Sequence, residues 1–410
     1  MIERTIYKEV LKKIRTKPVT VITGSRQVGK STLCRILVDN ENFNYVSLDN
    51  IKDLATASND PAAFLAEHKF PLIIDEVQKC PALFTEIESI VNKRKFEGFS
   101  NEGMYVLTGS QSYNLMENVT ESLAGRVTFI TMSPLSNREV QNRKEIPFEI
   151  NSEINNKDAD ENKDNLEDVY NNIVRGFYPE IFDKNIDDIE SFYSDYVMSY
   201  IERDVSQLIN LKDKLQFQRF MEVVASSTGE ELVSDNLAKI IGVTSKTIDS
   251  WISILVSGNI ITLLQPYFEN SVTKRVVKRP KLIFNDTGLA AYLAGLSNPT
   301  VLKKSRFAGR FIETYIINEI IKSFNNNGVS AKFYYYRDTN QHEIDLIVKH
   351  NGKLNLIECK SGVMYNASDI KSFDQLKNTA FELSGSGIIC NTDKAYSLKS
   401  GFYAVPIKSL

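Results

Sequence analysis

No apolar run in this chain reaches the roughly 20 residues that a membrane-spanning helix needs, and no signal-like apolar core follows Glu3 and Arg4. These absences exclude a helical membrane bundle and predict a cytoplasmic protein with no membrane partner. Cysteine is scarce: Cys34, Cys80, Cys359 and Cys390 lie far apart without a C-x-x-C pair, which argues against a zinc ribbon or disulfide framework and predicts free thiols. His68, His342 and His350 show no metal-ligand spacing and read as surface or turn residues. A dominant charge is missing too. The 49 basic and 52 acidic residues give a net charge of -3, so any nucleic-acid contact has to come from a local patch. What is there is a chain of 410 residues, 42% hydrophobic and 25% charged, ordinary for a protein of several domains with sizeable cores.

The chain opens with an amphipathic helical pattern carrying Ile6, Val10, Leu11 and Ile14, followed by the β-branched run Val19 to Thr23. Pro71 to Ile74 and Met104 to Leu107 are further apolar runs that end in polar residues, as buried parallel strands do when they feed a site at their carboxyl edge. The spacing predicts an α/β domain over residues 1–135 and a helical subdomain over 136–230, with a flexible insertion near 151–168, where Asn, Asp and Glu dominate and few apolar residues remain to bury. Helix signals and two β-like runs, Ile260 to Tyr267 and Thr273 to Phe284, predict a winged-helix domain over 231–297. A long helix, Phe311 to Phe324, then precedes strands in a domain over 298–410, where Asn351-Gly352 marks a hairpin.

Gly24-Ser25-Arg26-Gln27-Val28-Gly29-Lys30-Ser31 matches G-x-x-x-x-G-K-[ST] between a strand and a helix, the context this motif requires. Its backbone N–H groups, together with Thr32 at the helix start, suit phosphate binding; Lys30 suits the β and γ phosphates, and Ser31 a magnesium ion. Asp75 and Glu76 follow the second apolar run, and alternation points them in different directions. Asp75 is expected on the magnesium through water, Glu76 as the general base for the attacking water, and Ser110 as a reader of the γ-phosphate. Arg126 suits either an arginine finger, acting in cis or from a neighbouring copy, or a structural surface arginine.

Leu237 to Val243 and Thr247 to Ile252 have the spacing of two helices packed across a tight turn, with Ser245, Lys246 and Asp249 outward. The basic run Lys274, Arg275, Lys278, Arg279 and Lys281 is expected on a wing that contacts DNA, unless the module is a protein interface. Further on, Asp345 and Glu358 are expected on adjacent strands of the hairpin, with Lys360 sharing the face of Glu358. They suit either a second divalent metal that activates water, assisted by Lys360, or a purely structural set of exposed charges.

The phosphate loop, the strand Leu72-Ile73-Ile74-Asp75-Glu76, the segment Leu107-Thr108-Gly109-Ser110 and the stretch Ser122 to Val127 together resemble the prokaryotic AAA-plus-type ATPases related to archaeal ATPases. Tyr200 to Val205, Lys281 to Leu289 and the C-terminal carboxylates resemble the uncharacterised domain that commonly follows, and Glu313, Asp345, Glu358 and Lys360 resemble a PD-(D/E)XK core. The acidic stretch 151–168 departs from that pattern. The resemblance implies a P-loop α/β sheet, a helical lid, a winged helix and a nuclease-like C-terminal α/β domain. ATP and Mg2+ are the implied ligands, with DNA and a second copy of the chain as partners.

Overall fold

A computed structural model describes the chain except residues 1, 110–122, 163, 202–204, 206–213 and 269–278. It divides into two compact units. One comprises Arg4–Pro134 with Ser257–Asn259, the other Met1–Glu3, Leu135–Val256 and Ile260–Leu410.

In the first unit, five strands pair in parallel among the described residues: β1 (Val19–Gly24), β2 (Asn44–Ser47), β3 (Leu72–Asp75), β4 (Tyr105–Thr108) and β5 (Val127–Met132), in the order β2-β3-β4-β1-β5. β1, β3 and β4 are buried at every position, which is why they read as apolar runs. Helices α1 (Tyr7–Ile14), α2 (Lys30–Glu41), α3 (Ile51–Asn59), α4 (Pro61–Glu67) and α5 (Ala82–Phe96) surround the sheet. Leu72, Ile74, Phe84, Ile87 and Leu107 belong to one buried core, each burial worth about 1.5–3 kcal/mol. All five strands run the same way, so the residues following β1, β3 and β4 share one edge.

The second unit mixes helices with a nine-stranded sheet among the described residues. The strands are β6 (Ile261–Pro266), β7 (Lys281–Phe284), β8 (Lys332–Arg337), β9 (Glu343–His350), β10 (Lys353–Cys359), β11 (Glu382–Leu383), β12 (Ser386–Cys390), β13 (Tyr396–Lys399) and β14 (Phe402–Pro406). β9 and β10 form the hairpin at Asn351-Gly352, both with positive φ. The helix pair Ser234–Ile241 and Ser245–Ser257 turns at Gly242, φ 81°, and Trp251 packs on Phe217 and Phe220 with ring centroids 5.4 and 5.3 Å away. The antiparallel β6–β7 hairpin follows it, and β6 also pairs in parallel with β8. One sheet therefore runs through both stretches read from sequence as separate domains.

The structure corrects the expected flexible insertion. Ser152–Glu161 is a helix capped by Asn151, and Asn155, Asp158 and Ala159 are buried. Asp158 is held by Arg138 at 2.6 Å and Arg143 at 3.6 Å, and Arg138 also donates to the Ser409 carbonyl at 2.7 Å. Ion pairing replaces apolar burial there, so the hydrophobic count missed it. Cys34, Cys80, Cys359 and Cys390 are buried free thiols, and among the described residues no helix is long and apolar enough to cross a membrane.

Candidate functional site

The loop between β1 and α2 is shaped by its glycines. Gly24 has φ 145°, and a Cβ there would lie 2.4 Å from the Met132 carbonyl of neighbouring β5, so only glycine fits. Gln27 (φ 61°) and Gly29 (φ 94°) complete the tight turn. Val28 is buried, Ser25 is buried, Arg26 is half-buried, and Ser31 and Thr32 lie exposed on the first turn of α2. The Lys30 ammonium folds into the loop and donates to the Gly24 and Ser25 carbonyls at 2.8 Å each. It is a buried cation with mainly backbone around it, suited to phosphate oxygens. Arg4, unremarkable in the sequence, braces the loop from the chain's start: its guanidinium donates to the Val28 carbonyl at 2.7 Å and to Ser133 at 2.8 Å.

Asp75, at the end of β3, collects three hydroxyls. Ser31 donates at 3.2 Å, Tyr45 at 2.8 Å, and Thr108, at the end of β4, also bonds to it. Tyr45 escaped the sequence reading because β2 is a four-residue, half-polar strand without an apolar signature. Burial, and then the Asp75 charge, push the Tyr45 phenol upward, so it stays a donor. Glu76 sits beyond the strand with φ 57° and ψ 40°, a left-handed backbone that costs a non-glycine residue roughly 1–2 kcal/mol. Burial raises its carboxyl pKa, while a hydrogen bond from Gln78 opposes the rise and the Asp75 charge adds to it. Lys30, Ser31, Asp75 and Glu76 thus share one carboxyl edge. Ser110 lies outside the described residues.

Arg126 lies elsewhere. The Val19 amide donates to its carbonyl at 3.2 Å, which puts it at the start of β1, about 17 Å of strand away from Gly24 at ~3.3 Å per residue. Its guanidinium meets Glu88 at 3.3 Å and the Asn92 side chain at 2.8 Å, both on α5. Its side chain is thus directed to α5 and not to the carboxyl edge.

In the second unit, Asp345 and Glu358 do come together. The β9–β10 register pairs Ile357 with Leu346, so these two carboxylates fall on the next rung. Lys360 reaches Glu358 at 2.6 Å and Asp345 at 3.6 Å, and Asp345 accepts the Cys359 amide at 2.8 Å. Lys281, expected on the wing, is instead buried against Glu313 at 2.7 Å and Glu343 at 2.8 Å. Burial works against its charge, yet Glu313, then Asp345 and Glu343, hold the ammonium above its ordinary range. Burial, with Asp345 beside it, pushes Glu358 up to about 9, and burial pushes Glu313 up to about 7. Lys281 and Lys360 thus lie beside these acids, and among the described residues no group of three or more ligating side chains is arranged to hold a metal. Nothing among the described residues supports the second divalent metal expected at Asp345 and Glu358. Of the other basic wing residues, Lys274, Arg275 and Lys278 lie outside the described residues; Arg279 is exposed.

Comparison with known proteins matches three stretches of the chain. Residues 16–141 match the profile of an AAA domain, residues 166–300 a domain of unknown function (DUF8612) and residues 308–410 a second one (DUF4143). Uncharacterized proteins of Mycobacterium bovis and Mycobacterium tuberculosis are each 26% identical over 337 residues, 82% of this chain and 68% of theirs. Among solved structures, a Walker-type ATPase of Pyrococcus abyssi aligns over 70% of this chain and 94% of its own at 12% identity and a TM-score of 0.43. The RuvB branch migration motor of Thermotoga maritima aligns over 64% and 90% at 14% identity and a TM-score of 0.30. With a phosphate loop opening its helix and acidic residues on the same edge of a parallel sheet, the N-terminal unit has the arrangement that its match to the AAA domain profile leads one to expect.

Proposed function

We propose that this chain binds ATP with Mg2+ and hydrolyses it at the carboxyl edge of the N-terminal sheet. The observation that carries this reading is the meeting of Ser31 and Asp75 at 3.2 Å beside the buried Lys30 ammonium. Ser31 and Asp75 would hold Mg2+, which would supply positive charge to offset that of the phosphates. Backbone amides from Gly24 through Thr32 hold the phosphates, and Lys30 exchanges its two carbonyl partners for phosphate oxygens. Ser31 and Asp75 hold the cation side. Glu76 takes the proton of the attacking water, and Ser110 reads the γ-phosphate.

The test is Mg2+-dependent phosphate release by the whole chain. Lys30→Ala should weaken ATP affinity about 10- to 100-fold, the worth of a charge-assisted contact. Glu76→Gln should bind ATP normally and turn over roughly 10²- to 10⁴-fold more slowly. Equal turnover by Glu76→Gln and wild type rejects Glu76 as the base.

A role for the second unit follows from charge. On the helix pair, Ser245 donates to Asp235 at 2.5 Å and Ser234 to Asp249 at 2.6 Å, so exposed acids share the face with Lys239 and Lys246. Such a face carries no net positive charge with which to neutralise phosphates. With Lys281 withdrawn into the interior, this favours a nucleotide-dependent switch that contacts another protein over a DNA-associated ATPase with nuclease activity. DNA contact through the remaining basic residues is the reading it competes with.

A further inference from the structure

The left-handed turn at Glu76 brings the chain back so that Gln78 meets the carboxylate: Gln78 Nε2 donates to Glu76 Oε2 at 2.5 Å. The other end of this amide, Oε1, is buried without a hydrogen-bond partner among the described residues. It abuts Gly109, the residue that follows β4, where an added Cβ would lie 2.3 Å from Oε1 and 3.1 Å from the amide carbon. Gly109 has no positive φ, so its missing side chain answers to the space Gln78 occupies and not to a backbone requirement. One short side chain thereby spans from the acid after β3 to the end of β4. The surrounding turn is anchored independently, by the Lys79 amide on the Glu76 carbonyl at 3.1 Å and the Leu48 amide on the Asp75 carbonyl at 3.0 Å. Onto this anchored turn the amide of Gln78 adds a direct hold on the Glu76 carboxylate.

We propose that Gln78 is a positioning residue for ATP hydrolysis, orienting the Glu76 carboxylate toward the attacking water, with Gly109 as the socket that seats it. This rests on the hydrolysis reading above. A carboxylate free to rotate spends most of its time out of line with the water it must deprotonate, and misplacement on the scale of 1 Å costs about 100-fold in rate. Because Gln78 touches neither the phosphate loop nor Lys30, its contribution belongs to turnover and not to nucleotide affinity.

The experiment measures kcat, KM and fluorescent-nucleotide affinity for the whole chain as wild type, Glu76→Gln, Gln78→Ala, Gly109→Ala and the Gln78→Ala/Gly109→Ala pair, with thermal melts to establish folding. Gln78→Ala should lower kcat roughly 10- to 100-fold while affinity stays unchanged. Gly109→Ala displaces the amide without altering either partner, so it should lower kcat in the wild-type background and have no further effect once Gln78 is alanine. Wild-type kcat in Gln78→Ala, or a Gly109→Ala effect of the same size in both backgrounds, overturns the proposal. A wild type with no turnover removes the hydrolysis reading and this inference with it, and turnover equal to that of Glu76→Gln removes Glu76 as the base and with it this inference alone. A wild type that exceeds Glu76→Gln while Gln78→Ala matches it removes Gln78 alone.

Discussion

The ammonium of Lys281 lies 2.7 Å from Oε1 of Glu313, with 2% of the lysine side chain exposed. A lysine from β7 thus neutralises an acid from the long helix Ala308–Asn326. Breaking such a pair from one side strands a buried charge. Lys281→Met should lower stability by about 3–5 kcal/mol, measured by urea unfolding, and Lys281→Met with Glu313→Leu should recover most of that stability. In a Lys30→Ala background, Mg2+ or Mn2+ should leave the thermal midpoint unchanged. A metal-dependent rise would reject the lysines as the resident counter-charges.

Arg126→Ala should retain ATP turnover, because its guanidinium serves α5 at the far end of β1. Its half-exposed pair with Glu88 contributes less than about 1 kcal/mol. Abolished turnover that returns on mixing Arg126→Ala with Glu76→Gln protein would assign the arginine to a neighbouring copy.

Duplex DNA discriminates the two roles offered for the second unit. Replacing Lys274, Arg275, Lys278 and Arg279 together with serine should leave DNA affinity and its salt dependence as they are in the wild type. Counterion release sets the contrary result at about one unit of log–log slope for each phosphate no longer neutralised, and a slope flattened by that amount would restore the DNA-associated reading.

Glu145 gives the second unit a pH signature. It accepts a hydrogen bond from Asn326 at 2.9 Å, and burial, with the Glu139 charge, pushes its carboxyl from 4.5 up to about 6. The folded chain keeps a proton that the unfolded chain releases between those values, so this stabilisation is full below about 4.5 and is lost as pH rises to about 6. The decline amounts to about 2 kcal/mol. Urea midpoints of wild type minus Glu145→Gln should fall across that window and stay flat above it; a flat difference throughout would refute the assignment.

The phosphate loop was legible because its chemistry is contiguous: eight neighbouring residues carry the glycines, the lysine and the hydroxyl. The buried strands β3 and β4 and the Asn351-Gly352 turn were legible for the same local reason. What escaped depends on partners distant in sequence. Arg4 reaches Val28 and Ser133, Tyr45 reaches Asp75, and Lys281 reaches Glu313 and Glu343, and nothing beside each residue announces its partner. A basic residue near other basic residues reads as a surface patch until the sheet register turns it inward. The Ser152–Glu161 helix hid in the same way, since a polar segment is buried once Arg138 meets Asp158.

The parallel rung between β6 and β8, Gln265 beside Tyr334 and Pro266 beside Tyr335, bears on how the chain can be divided. The stretches 166–300 and 308–410 match separate profiles, yet they contribute neighbouring strands to one sheet. A recombination joint between them would leave β6 with an unpaired edge and strip Tyr267 of the Tyr334 ring 5.6 Å away. Either stretch without the other would therefore lack this pairing and present that edge to other chains.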